Sequence, residues 1–217
     1  MKTERKILVA STNPGKLAEI RAMLGDEVEW VSLADFPGIG EIEENGRTFA
    51  ENARMKALGY AKETGLWTLA DDSGLVVDEI GGLPGVKSAR FSGATDKNRK
   101  IVDRKNIEKL LNLMKGIPKE KRTARFVCRL CLASPPDKRR ASPDKVLFEA
   151  EGRLEGLIIE HPIGENGFGY DPVFLIPHLN KTVAQLIPEE KNAISHRGNA
   201  LRKLKHSLLP LLRNKPV

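Results

Sequence analysis

The chain has 217 residues, 40% of them apolar, which is ample for a core in one large domain or two lobes sharing a sheet and excludes a disordered or fibrous chain. No apolar run approaches the roughly 20 residues that cross a bilayer, and Met1-Lys2-Thr3-Glu4-Arg5-Lys6 leads straight into a strand without a secretory segment, so a cytoplasmic protein is expected. The net charge of +7 raises nucleic-acid binding as a possibility. However, aromatics are only 5%, and the clusters Lys119-Lys121-Arg122, Lys138-Arg139-Arg140 and Arg202-Lys203-Lys205 alternate with acids or border loops. A solvated surface, or a basic cleft for a small anion, accounts for the same excess.

From the N-terminus, Ile7-Leu8-Val9-Ala10 reads as a buried strand, and Ser11-Thr12-Asn13-Pro14-Gly15-Lys16 as a polar loop before a helix over 17–24. Strand, loop and helix start in that order place backbone N–H groups and a lysine where phosphate can sit; a plain turn with a surface lysine is the alternative. It is no Walker A loop, because Ala10 stands where the first glycine belongs and Leu17 where the metal-binding hydroxyl belongs. Residues 28–33 form a second strand, and the loop 34–46 carries Glu41, Glu43 and Glu44. A helix follows. Thr48-Phe49-Ala50-Glu51 fits a capping box, Phe49, Ala53, Ala57, Leu58 and Ala61 make an apolar face, and Gly65 suits the stop.

The next strand, 67–70, runs into Asp71-Asp72-Ser73-Gly74. Adjacent carboxylates repel, and a cation held between them and other acids would explain the pair; an Asp-Ser-Gly turn is the alternative. After a strand over 75–80 and a glycine-rich turn over 81–86, the helix 98–115 reads as scaffold, with Ile101, Leu110, Leu111 and Met114 at helical spacing. Three further strands are expected at 123–133, 146–152 and 154–160, with 134–145 a polar, basic loop extension. In the first of these, alternate apolar positions put Cys128 and Cys131 on opposite faces, so they should remain two reduced thiols.

The last third carries Gly164-Glu165-Asn166-Gly167-Phe168-Gly169-Tyr170-Asp171-Pro172. Glycines on both sides of Phe168 would let the backbone approach a flat ligand and leave the ring for stacking, though such a ring can equally plug a core. Lys191 and Ser195-His196-Arg197 precede a terminal helix over 199–212 and offer donors for base-edge or phosphate oxygens; a Ser195 N-cap is the simpler role.

The segments Ser11–Lys16, Thr48–Ala53, Ala70–Leu75, Gly81–Val86, Ser88–Arg90, Gly167–Pro172 and Glu190–Arg197, in that order, resemble the inosine triphosphate pyrophosphatase family. The resemblance runs from Ile7 to about Leu212. It implies hydrolysis of ITP, dITP and XTP to the monophosphate and pyrophosphate by one nucleoside triphosphate pyrophosphatase domain over residues 1–217, acting as a homodimer. The expected fold is α/β, a long mixed sheet flanked by helices, with two lobes and a central substrate cleft. Carried over by position, the resemblance puts substrate contacts on Ser11, Thr12, Asn13, Pro14, Gly15, Lys16, Ser73, Phe168, Gly169, Tyr170, Asp171, Lys191, His196 and Arg197. It puts the proton acceptor on Asp72, and Mg²⁺, with Mn²⁺ as the alternative, on Glu43 and Asp72; a one-residue shift would exchange Glu43 for Glu44. Ser11-Thr12 where Thr-Gly is common, Lys87 at a spot often aromatic, and the long 134–145 segment depart from the family pattern. A pyrophosphatase for another modified base and a basic nucleic-acid-binding protein are the rival readings.

Overall fold

A computed structural model describes residues 6–25, 28–137 and 143–213. In chain order the elements are β1 (Lys6–Val9), α1 (Pro14–Leu24), β2 (Glu29–Ser32), α2 (Phe49–Thr64), β3 (Trp67–Val77), α3 (Arg99–Leu113), β4 (Thr123–Ser134), β5 (Lys145–Ile158), β6 (Phe174–Ile176), β7 (Lys181–Thr182), α4 (Pro188–Ile194) and α5 (His196–Arg213). The strands form one open seven-stranded sheet in the order β2-β1-β3-β4-β5-β6-β7. It is mixed: β1 runs parallel to both β2 and β3, with Leu8 opposite Val31 and Thr68, whereas β6 is antiparallel to β5 and β7. The expected α/β class with a long mixed sheet is what the chain adopts. No described helix is long and apolar enough to cross a membrane.

By contact the chain divides into two units. The first comprises residues 1–72, 128–152 and 197–217, and the second 73–127 and 153–196. In the first unit, both faces of the sheet are covered. Ile7, Val9 and Leu69 join one apolar cluster with Ile20, Leu201 and Leu204, while Leu8, Ala10 and Ala70 join another with Ala53, Ala57 and Ala61. A strand covered on both sides reads as a continuous apolar run, which is how β1 was legible. Each fully buried Leu or Ile contributes about 1.5–3 kcal/mol. The second unit has its own core, built on Leu75, Leu110, Met114, Phe126, Ile158 and Phe174.

Four boundaries depart from expectation for identifiable reasons. Asn13 caps α1, its side chain accepting from the amides of Gly15 and Lys16 with Pro14 at the first helical position, so Lys16 lies in a helical turn and not in a loop. Strand β3 does not stop at Ala70; it continues through the acidic pair to Val77. Gly152-Arg153 does not divide β5, which is one strand of 14 residues. Helix α5 begins at His196, three residues earlier than expected, and Ser195 is the one extended residue between α4 and α5. The α2 prediction holds in detail, including the Thr48/Glu51 capping box and a left-handed Gly65 at φ 69°.

Of the basic clusters, Lys138-Arg139-Arg140 lies outside the described residues. Arg122 is not a surface charge: it is buried, donating through Nε to Ile158 O (2.6 Å) and through Nη1 to Met114 O (2.7 Å). It ties the end of α3 to β5, a structural use of a charge that composition alone assigns to solvent.

Candidate active site

Successive side chains of a strand point to opposite faces, so extending β3 through Asp71-Asp72 sends the two carboxylates apart. Asp71 shares the parity of Leu69 and Asp72 that of Ala70, and those two residues belong to different apolar clusters. The two carboxylates therefore have different protein partners.

On one face, Asp71 is a counter-ion. Lys16 Nζ donates to its Oδ1 (2.6 Å), Arg197 Nε to its Oδ2 (2.7 Å), and the Cys128 thiol to the same Oδ2 (3.2 Å). Arg197 is also paired through Nη1 with Glu19 of α1. Burial works to raise the Asp71 pKa, but the charges of Arg197 and then Lys16 hold it well below the usual carboxylate range. Burial likewise works against Arg197, whose pKa Asp71 and Glu19 nevertheless raise.

On the other face, Asp72 meets α2 and the loop before it. Lys56 Nζ lies 3.4 Å from Asp72 Oδ1 and 3.1 Å from Glu44 Oε2, and donates to Asp71 O at 2.9 Å. Asn52 Nδ2 donates to Asp72 Oδ2 (3.2 Å), while its Oδ1 accepts from Gly46 N (2.8 Å) and so fixes the glutamate loop. Burial pushes Asp72 up to about 6, against the pull of Lys56 and Lys16, and the charge of Glu44 adds to the rise. For Lys56, burial is outweighed by Asp72 and Glu44, and its pKa is raised. A carboxyl with a pKa near neutrality is suited to taking and releasing a proton. Glu43 is exposed, and Glu44 is the glutamate that shares Lys56 with Asp72.

The other substrate candidates of this unit lie between β1 and α1. The Ser11 hydroxyl accepts from Asn13 N (3.1 Å), and Thr12 is exposed. Ser73, next along β3, is half-buried and falls in the second unit.

The second unit gathers the aromatic and basic candidates. Lys191 Nζ donates to Asp171 Oδ2 (2.8 Å) and sits 4.4 Å from the centroid of the Phe168 ring. The amide of Phe168 donates to the same Asp171 oxygen (2.9 Å). Tyr170 is buried, with its hydroxyl donating to Ser88 O (3.0 Å), and burial raises its pKa. His196 stacks on Phe126, 4.8 Å between centroids and 16° between planes. Thus Phe168, Asp171 and Lys191 form one cluster, and Lys16 and Arg197 converge on Asp71.

Sequence reading missed Lys56, Asn52 and Glu19. The signal for the first two was present: Asn52 and Lys56, four apart, flank Ala53 and Ala57 on the buried side of α2, where polar residues need a partner.

Both cysteines are free and buried, as expected. Burial raises Cys128 well above its ordinary value and pushes Cys131 up to about 12, helped by Asp71 and Glu149 respectively. Folded protein at about pH 8 should therefore react slowly with a thiol-specific dye, with both thiols titrating after denaturation. Rapid native reaction of both would contradict this burial.

The geometry can be set beside known proteins. A family model described as the Ham1 family matches residues 7–207. The dITP/XTP pyrophosphatase of Geobacillus kaustophilus is 49% identical over 201 residues, 92% of each chain, and that of Bacillus subtilis is 46% identical over 92% of this chain and 95% of its own. Among solved structures, a HAM1 protein from Coxiella burnetii superposes with a TM-score of 0.81 at 40% identity, covering 95% of this chain and 99% of that one. The Staphylococcus aureus Ham1 protein gives 0.79 at 37% identity, covering 95% and 100%. Sequence and fold agree along almost the whole length, and the chain belongs to the Ham1 family.

Proposed function

We propose that this chain hydrolyses non-standard purine nucleoside triphosphates, ITP, dITP and XTP, to the monophosphate and pyrophosphate, clearing them from the nucleotide pool. The observation that carries the reading is Asp72: a buried carboxylate that shares Lys56 with Glu44 and accepts from Asn52, one residue from the carboxylate that anchors Lys16. Family membership and the names of the relatives support it. The reading assigns the triphosphate to Ser11–Lys16 and the purine to Phe168–Asp171, Lys191, His196 and Arg197.

Cleaving a phosphoanhydride needs charge neutralisation and an aligned water more than covalent help. Asp72 accepts the proton of the water that attacks the α-phosphorus, and pyrophosphate leaves. Lys16, held by Asp71, offsets negative charge on the phosphates. The carboxylates suit a hard divalent cation. Asp72 and Glu44 already bracket one positive charge, the Lys56 ammonium. That fits Mg²⁺, which takes one or two carboxylates and completes its shell with substrate phosphate and water. Bound there, Mg²⁺ or Mn²⁺ would neutralise triphosphate charge and polarise the scissile linkage.

Asp72 and one glutamate of the Glu43-Glu44 pair are the ligands in this reading, and contact with Lys56 favours Glu44. Glu44→Gln should weaken Mg²⁺ activation at least about tenfold while Glu43→Gln changes it little, as read from rate against Mg²⁺ concentration. The opposite ranking would give the role to Glu43.

Hypoxanthine and xanthine present a keto oxygen at the 6-position and adenine an amine. A site of donors pairs with the first and leaves the second unmatched. Lys191, beside the Phe168 ring, is the donor this reading assigns to that oxygen. Pyrophosphate release from ITP, XTP, dITP, GTP and ATP, with and without Mg²⁺, tests bond, base and metal together. ITP and XTP should lead ATP by at least about a hundredfold through the 6-position, and should also lead GTP, which shares the 6-keto group and differs at the 2-position, only with the metal present. Equal cleavage of all five would defeat the selectivity reading. A cytoplasmic homodimer completes the proposal, and sedimentation equilibrium would decide its oligomeric state.

A further inference from the structure

The turn that carries Phe168 is permissive by composition, since Gly167 and Gly169 both have positive φ (77° and 62°). A Cβ on Gly167 would lie 2.0 Å from Asp171 Oδ2, so the turn is also packed tightly against its own carboxylate. The turn is also held from outside. The amide of Gly169 donates to Asp103 Oδ2 (2.9 Å), a residue of α3 that is 66 positions away. Asp103 is only 9% exposed, and its other oxygen lies 3.0 Å from Arg99 Nε, one helical turn earlier. Two more residues of the same helix edge also bind backbone. Asn106 accepts from Ser92 N (2.7 Å) and donates to Ser88 O and Ala89 O (both 3.3 Å), and Lys109 donates to Phe91 O (2.7 Å). Positions 103, 106 and 109 recur at helical spacing, so α3 presents a polar edge to two loops, and Ser88 O in turn takes the Tyr170 hydroxyl.

We infer that Asp103 is a positioning residue for the nucleobase: through the Gly169 amide it fixes the Phe168 ring against the Lys191 ammonium. The inference rests on the reading above, in which Phe168 and Lys191 take the purine. A carboxylate oxygen is a stronger acceptor for an amide than a carboxamide oxygen, and losing it leaves the two-glycine turn with one anchor fewer, beside those of Asp171 and Tyr170. Base binding should suffer, not the chemistry at Asp72.

The test uses the full chain with Asp103→Ala and Asp103→Asn, steady-state kinetics on ITP and XTP, and hydrogen exchange of the Gly169 amide. Asp103→Ala should raise KM about tenfold with kcat within about threefold, and speed Gly169 exchange about tenfold. Asp103→Asn keeps an acceptor oxygen and should bring KM back to within about threefold of the parent. Should the alanine protein not fold, the asparagine protein decides, with KM and Gly169 exchange both raised about threefold as the supporting result. Unchanged KM or unchanged exchange in folded Asp103→Ala overturns the assignment, as does a fall in kcat at constant KM; where only Asp103→Asn folds, no rise in either KM or exchange overturns it. A parent protein inert toward both nucleotides would sink the underlying reading instead, a result separable from any change at Gly169.

Discussion

Asp72→Asn is expected to lower ITP turnover at least about a thousandfold while leaving nucleotide affinity within about tenfold of the parent. The amide cannot accept a proton and is a poor ligand for a hard cation, so two contributions to the transition state vanish together. The fold should tolerate the change. An amide can still hydrogen-bond with Asn52 at the same place, and the negative charge that it removes is one that burial disfavours. Calorimetric titration with a non-hydrolysable ITP analogue, run beside a pyrophosphate-release assay, separates binding from chemistry. Turnover near the parental rate would remove Asp72 from the role of base.

Asp71→Asn should behave in the opposite way, losing stability first. Asp71 is 2% exposed and neutralises both Lys16 and Arg197, and Arg197 is itself 1% exposed. Breaking a buried ion pair from one side leaves an uncompensated charge, which costs about 3–5 kcal/mol. For a chain of this length that is about a 10 °C fall in Tm. Glu19 remains to Arg197, so the loss should sit toward the lower end of that range. Lys16 loses its side-chain anchor, and kcat/KM should fall as a secondary effect. Thermal and urea unfolding measure the first, kinetics the second; an unchanged Tm would show that the counter-ion role is wrong.

These contrasting expectations come from two neighbours that the sequence presents as one feature. Asp-Asp-Ser-Gly has turn-forming composition, and local propensity alone breaks the strand there. What keeps β3 extended is tertiary: Lys16, Arg197 and Lys56 arrive from three helices and neutralise both carboxylates. Residues 126 positions apart cannot announce such a pairing by spacing. The same limit explains Asp103 and Asn106. Helix α3 was legible as a helix because its apolar residues recur properly, yet both polar residues fall among its buried positions beside Val102, Ile107 and Leu110. A polar residue in an apolar stripe is a detectable signal, but its partner is not. Conversely, α2 was readable to its ends because its capping box and terminal glycine are local devices, and β1 because both its faces are buried. Gly152 misled because glycine weakens a strand without ending it when neighbouring strands supply the hydrogen bonds.

Alternation along β3 offers a practical route to engineering. Directed libraries aimed at altered metal use or leaving-group scope can vary Asp72 and its α2 neighbours, Asn52 and Lys56, while holding odd-numbered Leu69 and Asp71 constant. The two-residue repeat of an extended chain keeps such changes off the Lys16–Asp71–Arg197 cluster, although Lys56 also donates to Asp71 O, so its replacement carries a stability cost of its own.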